Sequence, residues 1–450
     1  MAGTAYESAV ARMYALGHEL SQSQTRKFDL AHMRVLLTAL NNPEKRFPSV
    51  LIAGTNGKGS TAATLASILM AAGIRTGLYT SPHLVRINER IRINGSPVND
   101  DDFALLHDLV DRTAERLVEE GDLPWHPSFF EMLTAIAFEY FAQNKVSLAV
   151  LEVGMGGRLD ATNVVEPNLS VITDIALDHQ KFLGNTIAEI AREKAGIIRR
   201  GGVVITLPQL PEANDVIGST IVECNAKVVS AVAYVPPVSP ASSDYFNPKH
   251  GDLRSRYPMQ VMAEKISVET PLLGRHQLRN VALAIAAAEE LSQQGFHLTA
   301  EAIERGIRDT HWPGRFQVVR SDGKAPEYVF DVAHNPAGAW ALRSTLSAFY
   351  SDRPLTFIFG AMRDKAIAEI AEILFPLADR VIATRADNPR SATAGEVREA
   401  ACRVSVAIQS TENVSDALAE AERLGSDSVV VITGSIYVVG EAMSRLGVKV

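Results

Sequence analysis

Ile52-Ala53-Gly54-Thr55-Asn56-Gly57-Lys58-Gly59-Ser60-Thr61 is the stretch on which the reading of this chain turns. It follows an apolar run at 49–53 with the length of a buried strand. It opens a helical pattern from about residue 59 to 72, which Gly73 stops. Glycines between a strand and a helix let successive backbone N–H groups turn toward one point, where the helix N-terminus adds positive potential. Lys58 supplies a mobile cation for the outer phosphates of a nucleotide, and Ser60 or Thr61 can reach magnesium. Gly54, Thr55, Asn56, Gly57, Lys58, Gly59 and Ser60 are therefore the expected nucleotide-binding residues. The spacing departs from the common phosphate loop: Thr55 and Asn56 alone separate Gly54 from Gly57-Lys58, and Gly59 intervenes before Ser60. A glycine-rich turn that binds nothing is the rival reading, and a lysine set among these glycines weighs against it.

Outward from this loop, short β-rich runs alternate with helical periods, which predicts an α/β fold with a parallel sheet. Strands are expected at 75–80, 146–151, 169–173 and 202–206, and helices near 101–119, 128–143, 186–199 and 277–294. The proline-rich stretch 231–272 reads as a β-rich elaboration of the same unit. A second alternation starts near 328, with strands at 328–332, 355–359, 380–384 and 428–433. It has the size of a smaller Rossmann-like unit. The 450 residues exceed what one core holds. The expected division is a P-loop domain over 1–297 and a C-terminal domain over 298–450, parted near Gly295 to Thr299. No internal repeat or disordered tail is expected.

Composition narrows the function. The net charge of −8 argues against a nucleic acid as main partner. Cys224 and Cys402 are the two cysteines, too few and too distant for a disulfide framework or a cysteine metal site. The first twenty residues carry Glu7, Arg12 and Glu19 and have no apolar stretch of signal-peptide length. No apolar run approaches the roughly 18–20 residues of a membrane span. A cytoplasmic protein that handles small molecules is expected.

Several side chains carry chemistry by position alone. Glu152 ends a buried strand, and Ser60, Ser81, Asp174 and His179 also follow strand ends. In an open α/β sheet these ends line one edge, where ligands bind. Hydroxyls, carboxylates and an imidazole beside a phosphate loop can hold hard divalent cations. Capping or packing roles for His179 and Glu152 are the plainer alternatives. Lys194 has Ile190, Ala191, Ile197 and Ile198 as helical neighbours, so it projects from an apolar face. Desolvation would lower its pKa and free an amine able to take up carbon dioxide. A lysine that snorkels to water is the equal alternative. Glu131, in Ser128-Phe129-Phe130-Glu131, sits among aromatics in a setting that suits a flat hydrogen-bonding heterocycle. A core helix with a glutamate in its first turn fits as well. Arg86, Arg90 and Arg92 could draw an anionic tail or form a solvated charged strand.

Gly54-Thr55-Asn56-Gly57-Lys58-Gly59-Ser60 in this context resembles the Mur-ligase superfamily, and within it the folylpolyglutamate synthase / dihydrofolate synthase family of the bacterial bifunctional type. The likeness runs along most of the chain: Thr80-Ser81-Pro82-His83-Leu84, Glu89-Arg90-Ile91-Arg92, Glu152-Val153-Gly154-Met155-Gly156-Gly157-Arg158-Leu159-Asp160-Ala161, Leu177-Asp178-His179, Glu193-Lys194-Ala195-Gly196, Gly274-Arg275-His276-Gln277, Pro313-Gly314-Arg315, Asp331-Val332-Ala333-His334-Asn335-Pro336 and Thr433-Gly434-Ser435-Ile436-Tyr437.

The resemblance implies a Mur-ligase-like central domain, and an ATP-dependent ligase that joins L-glutamate to dihydropteroate or a reduced folate through an acyl phosphate. It implies Ser81, Glu152 and His179 as magnesium ligands, with Ser60 near the first of two ions. It implies a carbamylated Lys194, which keeps the family's interval of fifteen residues after His179. Lys58, Lys194, His179 and Arg315 become the catalytic set. Arg315, Asp331 and His334 would meet the nucleotide phosphates and ribose, and Asn280 the adenine side. Ser128, Phe129, Phe130, Glu131, Leu159, Asp160, Ala161, Asp29, Leu30 and Ala31 would line the pteroate site. Ala31 departs from the glycine usual in bifunctional relatives. The implied protein is a monomer acting on small molecules, away from nucleic acid and membrane. A UDP-muramoyl peptide ligase is the nearest rival, set back because only 53 residues precede Gly54. A P-loop kinase and a nucleotide-dependent switch are the others. The former is disfavoured by Lys194 and the second unit, and the latter needs no second-substrate pocket.

Overall fold

The computed structural model describes residues 4–17, 30–237, 253–320, 326–424 and 427–450. Among them the chain forms an eight-stranded sheet, a six-stranded sheet and a two-stranded hairpin. The first sheet comprises β1 (Ser49–Ala53), β2 (Thr76–Tyr79), β3 (Ile91–Ile93), β4 (Ser96–Pro97), β5 (Leu148–Glu152), β6 (Leu169–Ile172), β7 (Val203–Thr206) and β8 (Lys227–Ser230). Their order is β4-β3-β2-β5-β1-β6-β7-β8, and all neighbours are parallel except the β2–β3 and β3–β4 pairs. β1 and β5 are buried along their whole length, which explains why they read as unbroken apolar runs rather than as alternating ones.

Two cores cover this sheet. Helices Ala5–Ala15, Leu30–Ala39, Asp100–Glu119, Phe129–Gln143 and Ile187–Ala195 close one face. Helices Lys58–Ala71, Arg275–Gln293 and Ala300–Arg308 close the other, with the hairpin β9 (Ser255–Val261) and β10 (Glu264–Thr270). The hairpin is the β-rich elaboration expected over 231–272, of which residues 238–252 lie outside the described set.

The second sheet runs β11-β12-β16-β13-β14-β15: β11 (Gln317–Val319), β12 (Glu327–Phe330), β13 (Leu355–Phe359), β14 (Arg380–Ala383), β15 (Ile408–Ser410) and β16 (Val429–Thr433). Only β11 pairs antiparallel. The molecule is therefore an α/β protein of two parallel-rich units.

Helix Ala300–Arg308 falls beyond the boundary expected near Gly295 to Thr299. Its apolar stripe, Ala300, Ile303 and Ile307, instead packs on Lys58–Ala71 and β10. The crossover between sheets runs through residues 309–316, and we propose the unit boundary there rather than after residue 297. The closeness of that packing depends on Gly306, where a Cβ would fall 2.3 Å from the Ile68 Cα. Gly306→Val forces two helix backbones apart and should cost about 1–3 kcal/mol. The check is a lower urea midpoint at unchanged m-value.

Candidate active site

The carboxyl ends of β1, β5 and β6 meet as the sequence leads one to expect. The loop after β1 is stitched to the segment after β6: Thr55 N and Asn56 N donate to the Asp174 carbonyl at 2.9 and 3.1 Å, and Thr55 Oγ1 donates to the Ala176 carbonyl at 3.0 Å. Two glycines have no substitute here. A Cβ on Gly54 would lie 1.8 Å from Thr173 Oγ1; at Gly57 φ is +92° and a Cβ would lie 2.2 Å from Asn280 Oδ1. Asn280 thus abuts the loop, held by a 2.8 Å bond to Gln277 Oε1.

Two lysines converge on one carbonyl. Lys58 Nζ donates to Gly54 O at 3.1 Å and Thr55 O at 3.2 Å. Lys194 Nζ reaches the same Gly54 oxygen at 2.7 Å. Lys194 is only 4% exposed, so it does not snorkel. Burial, followed by the neighbouring Lys58 charge, pushes its pKa down to about 7. Glu152 is buried beside them, its carboxylate accepting from Ser81 N at 3.2 Å. Burial raises its pKa, against the pull of Lys58 and Arg315.

His179 takes a left-handed backbone, φ +50°, and burial brings its pKa down to about 3. Its neighbour Asp178 ties the two units together. Asp178 accepts from Lys365 Nζ at 2.6 Å and from Asn335 Nδ2 at 3.1 Å, and His334 Nε2 stands 3.4 Å away. Burial would raise this carboxyl, but the His334 contact and the surrounding positive charge hold it well below the carboxylate range. Asn335 Nδ2 also donates to Asn56 Oδ1 at 3.0 Å, joining the second unit to the phosphate loop.

Most of these groups line one cavity of about 900 Å³ between the two sheets. Gly54 to Ser60, Ser81, Glu152, His179, Lys194, Asn280, Arg315, Asp331 and His334 face it, as do Leu30, Ser128, Phe129, Phe130, Glu131, Leu159, Asp160 and Ala161. Asp29 lies outside the described residues. Ala31 does not face the cavity: it is on the exposed side of its helix, and Leu30, His32 and Met33 take the wall instead. Asp174, read as a possible cation ligand, is engaged by Arg279, whose Nη2 and Nε reach its carboxylate at 2.6 and 3.1 Å. Arg86, Arg90 and Arg92 stand behind the wall. Arg86 pairs with Asp100, Arg90 donates to His83, and Arg92 donates to the Glu89 carbonyl.

Three acids at the wall also serve the backbone. Glu131 completes a capping box, accepting from Ser128 N and Oγ at 2.8 and 2.7 Å. Asp160 accepts from Met155 N and from Thr162 N and Oγ1, fixing the glycine-rich loop after β5. Asp331 accepts from Ala333 N and Phe316 N, each at 2.9 Å, and so sets the loop that presents Arg315.

Other residues at or beside the wall escaped the sequence reading. Trp125 meets His32 edge-on at 4.7 Å at the aromatic end. Lys365 enters from the second unit. Trp312 packs against Gly59 and under the Arg315 guanidinium. Only the Leu177-Asp178-His179 string hinted at Asp178, because its partners lie more than 150 residues away.

The donor set suits a hard cation. Ser60, Ser81 and Glu152 offer oxygen, and His179 one imidazole, with room for water and nucleotide phosphates to complete the shell. Among the described residues no three His, Cys, Asp or Glu side chains gather closely enough to hold a metal by themselves. No described helix is long and apolar enough to cross a membrane.

Residues 130–288 match the Mur ligase middle domain, and residues 314–436 match the Mur ligase glutamate ligase domain. The chain is 36% identical to the dihydrofolate synthase/folylpolyglutamate synthase of Bacillus subtilis over 427 residues, covering 93% of this chain and 94% of that one. It is 33% identical to the Escherichia coli enzyme of the same name over 438 residues, covering 96% and 94%. Among solved structures, Mycobacterium tuberculosis folylpolyglutamate synthase complexed with ADP superposes with a TM-score of 0.87 at 31% identity, covering 99% of both chains. The Escherichia coli protein in complex with DHPP and ADP gives 0.82 at 31% identity, covering 98% and 97%.

The depressed Lys194 pKa has a measurable consequence. A lysine in the unfolded chain titrates near about 10.4, whereas folded Lys194 titrates at about 7. Between those values the unfolded chain binds the extra proton, so stability rises with pH, by at most about 1.4 kcal/mol per pH unit. Below that window both states are protonated and the penalty of the buried charge is fully present. Lys194→Met should flatten this rise, as read from urea unfolding in CO2-free buffer from neutral to mildly alkaline pH.

Proposed function

The chain belongs to the dihydrofolate synthase/folylpolyglutamate synthase family of Mur ligases, and from that premise we propose a mechanism for its glutamate ligation. It is an ATP-dependent carboxylate–amine ligase. The observation that carries the mechanism is the convergence of Lys58, Lys194, Glu152 and Arg315 on one cavity whose far end is an aromatic chamber.

A carboxylate resists attack because its charge repels nucleophiles and oxide is a poor leaving group. The γ-phosphoryl of ATP is transferred to a carboxylate oxygen of the pterin substrate, releasing ADP and forming an acyl phosphate. Lys58 leaves the Gly54 and Thr55 carbonyls for the phosphates. The Arg315 guanidinium, half-buried and lining the cavity, faces the charge that develops. The glutamate amine then attacks the acyl carbon, phosphate departs, and the ammonium proton passes to base. Ser60, Ser81, Glu152 and His179 would hold magnesium, which when bound would supply positive charge at the phosphoryl oxygens, and two ions fit this reading. Lys194 in its free-amine form takes up carbon dioxide, losing a proton and becoming a carbamate anion beside those ligands. Water would hydrolyse the acyl phosphate, so the second unit, clasped through Asp178, Lys365 and Asn335, has to cover the site during turnover.

The aromatic chamber of Trp125, His32, Phe129, Phe130 and Leu159 suits a pterin ring. We assign it dihydropteroate and reduced folates alike, in a cytoplasmic monomer with no nucleic acid or membrane partner.

The test is ATP-dependent incorporation of labelled glutamate, with dihydropteroate and tetrahydrofolate offered in parallel and a UDP-muramoyl peptide as control. Product from both pterins supports the bifunctional reading and product from one narrows it. Turnover on the UDP compound alone, or ATP binding without product, overturns it. Lys58→Ala should cut ADP formation by about 100–1,000-fold. Lys194→Ala should lose activity and regain part of it in the presence of short-chain carboxylic acids.

A further inference from the structure

One buried imidazole next to the site has no part in the chemistry above. His83 stands two residues after Ser81 and is 9% exposed. Arg90 Nε donates to its Nδ1 at 2.8 Å. Arginine can only donate, so Nδ1 is bare and the ring proton sits on Nε2. Nε2 lies 3.2 Å from the Tyr14 hydroxyl, which therefore accepts.

The two partners of His83 then meet on a third residue. The Tyr14 ring stacks on Phe129, with centroids 5.7 Å apart and planes 22° from parallel. The Arg90 guanidinium lies 5.4 Å from the same Phe129 centroid. Phe129 lines the chamber, and so do Leu16 and Gly17, which follow the helix that carries Tyr14. His83 thus joins the N-terminal helix, the turn after Ser81 and the first turn of helix Phe129–Gln143. Other polar holds on the N-terminal helix lie away from Phe129: Arg12 pairs with Asp111 and Glu115, and Tyr6 donates to Asn88.

We propose that His83 is a positioning residue for the organic substrate, fixing Phe129 and the Leu16 and Gly17 wall through Arg90 and Tyr14, with no effect on the nucleotide. This rests on the assignment of the chamber to the pterin. A wall already in place adds nothing to the ordering cost of binding; a loose wall has to be ordered by the ligand, and affinity falls while the phosphate loop is untouched. The ring acts through one acceptor and one donor. Glutamine carries both, alanine neither, and Tyr14→Phe keeps the stack while removing only the hydroxyl.

Dihydropteroate and a non-hydrolysable ATP analogue are titrated separately into the full chain and its variants, with melting temperature recorded alongside. His83→Ala should weaken dihydropteroate binding about 10-fold, and Tyr14→Phe about threefold. His83→Gln should recover most of the loss. Nucleotide affinity should stay within about twofold, the scatter of a neutral surface change. Equal losses for both ligands, no rescue by glutamine, or undiminished dihydropteroate binding in His83→Ala would overturn the proposal. Failure of the unaltered chain to bind dihydropteroate would remove the chamber assignment and the inference with it, and is seen before any variant is made.

Discussion

Two lysines aimed at one buried carbonyl oxygen make an arrangement in which both charges cannot be kept without cost. Gly54 O receives both Lys58 and Lys194, and two like charges gathered around one oxygen repel strongly wherever water is scarce. Something has to give. For Lys194 the relief is loss of its proton, the direction in which burial and Lys58 both push it. Lys58, nearer the cavity, finds relief when an anion arrives and draws it off the carbonyl. A phosphate loop whose lysine is held by weak local bonds releases it readily, and a lysine kept neutral becomes a nucleophile. The proposed carbamate and the proposed nucleotide contact are two answers to one electrostatic problem, set by where Gly54 places its carbonyl.

The second unit enters that problem through Asp178. Its carboxylate collects a lysine, a histidine and an asparagine from the far sheet, and its neighbour His179 faces the cavity. A buried carboxylate with three such partners gives orientation more surely than stability, since the desolvation of each charge offsets most of the attraction. Helix Ile436–Arg445 makes a further contact, with Gly440 so close to the Leu84 carbonyl that no side chain fits between them. The turn after Ser81 and the turn before His179 are thereby both held from across the domain cleft.

Much of this was legible in the sequence because it rests on local rules. The strand–glycine–helix order around Lys58, the apolar surroundings of Lys194 and the buried run ending at Glu152 each follow from spacing and burial. Ser128 with Glu131, and Thr186 with Glu189, mark helix starts through their capping boxes. What was illegible depends on long-range geometry. Nothing near Lys365 announces a partner at Asp178, and Trp125 is an ordinary loop aromatic until His32 meets it. Ala31 failed because one residue of helical rotation decides which neighbour faces the cavity. The place of the unit boundary is hard to read because a gap after an alanine-rich helix looks the same whether the next helix folds back or moves on.

The tryptophans carry a consequence of another kind. Trp125 sits at the aromatic end of the cavity, and Trp312 lies against Gly59 of the phosphate loop. Trp340, the remaining one of three, is 59% exposed on the outer helix of the second unit. Indole emission shifts and quenches with its immediate surroundings, so the molecule holds one intrinsic optical probe in its working cleft, a second behind the phosphate loop, and a solvent-facing reference outside. Occupancy of the cleft can be followed by light alone, without a label or a coupled assay.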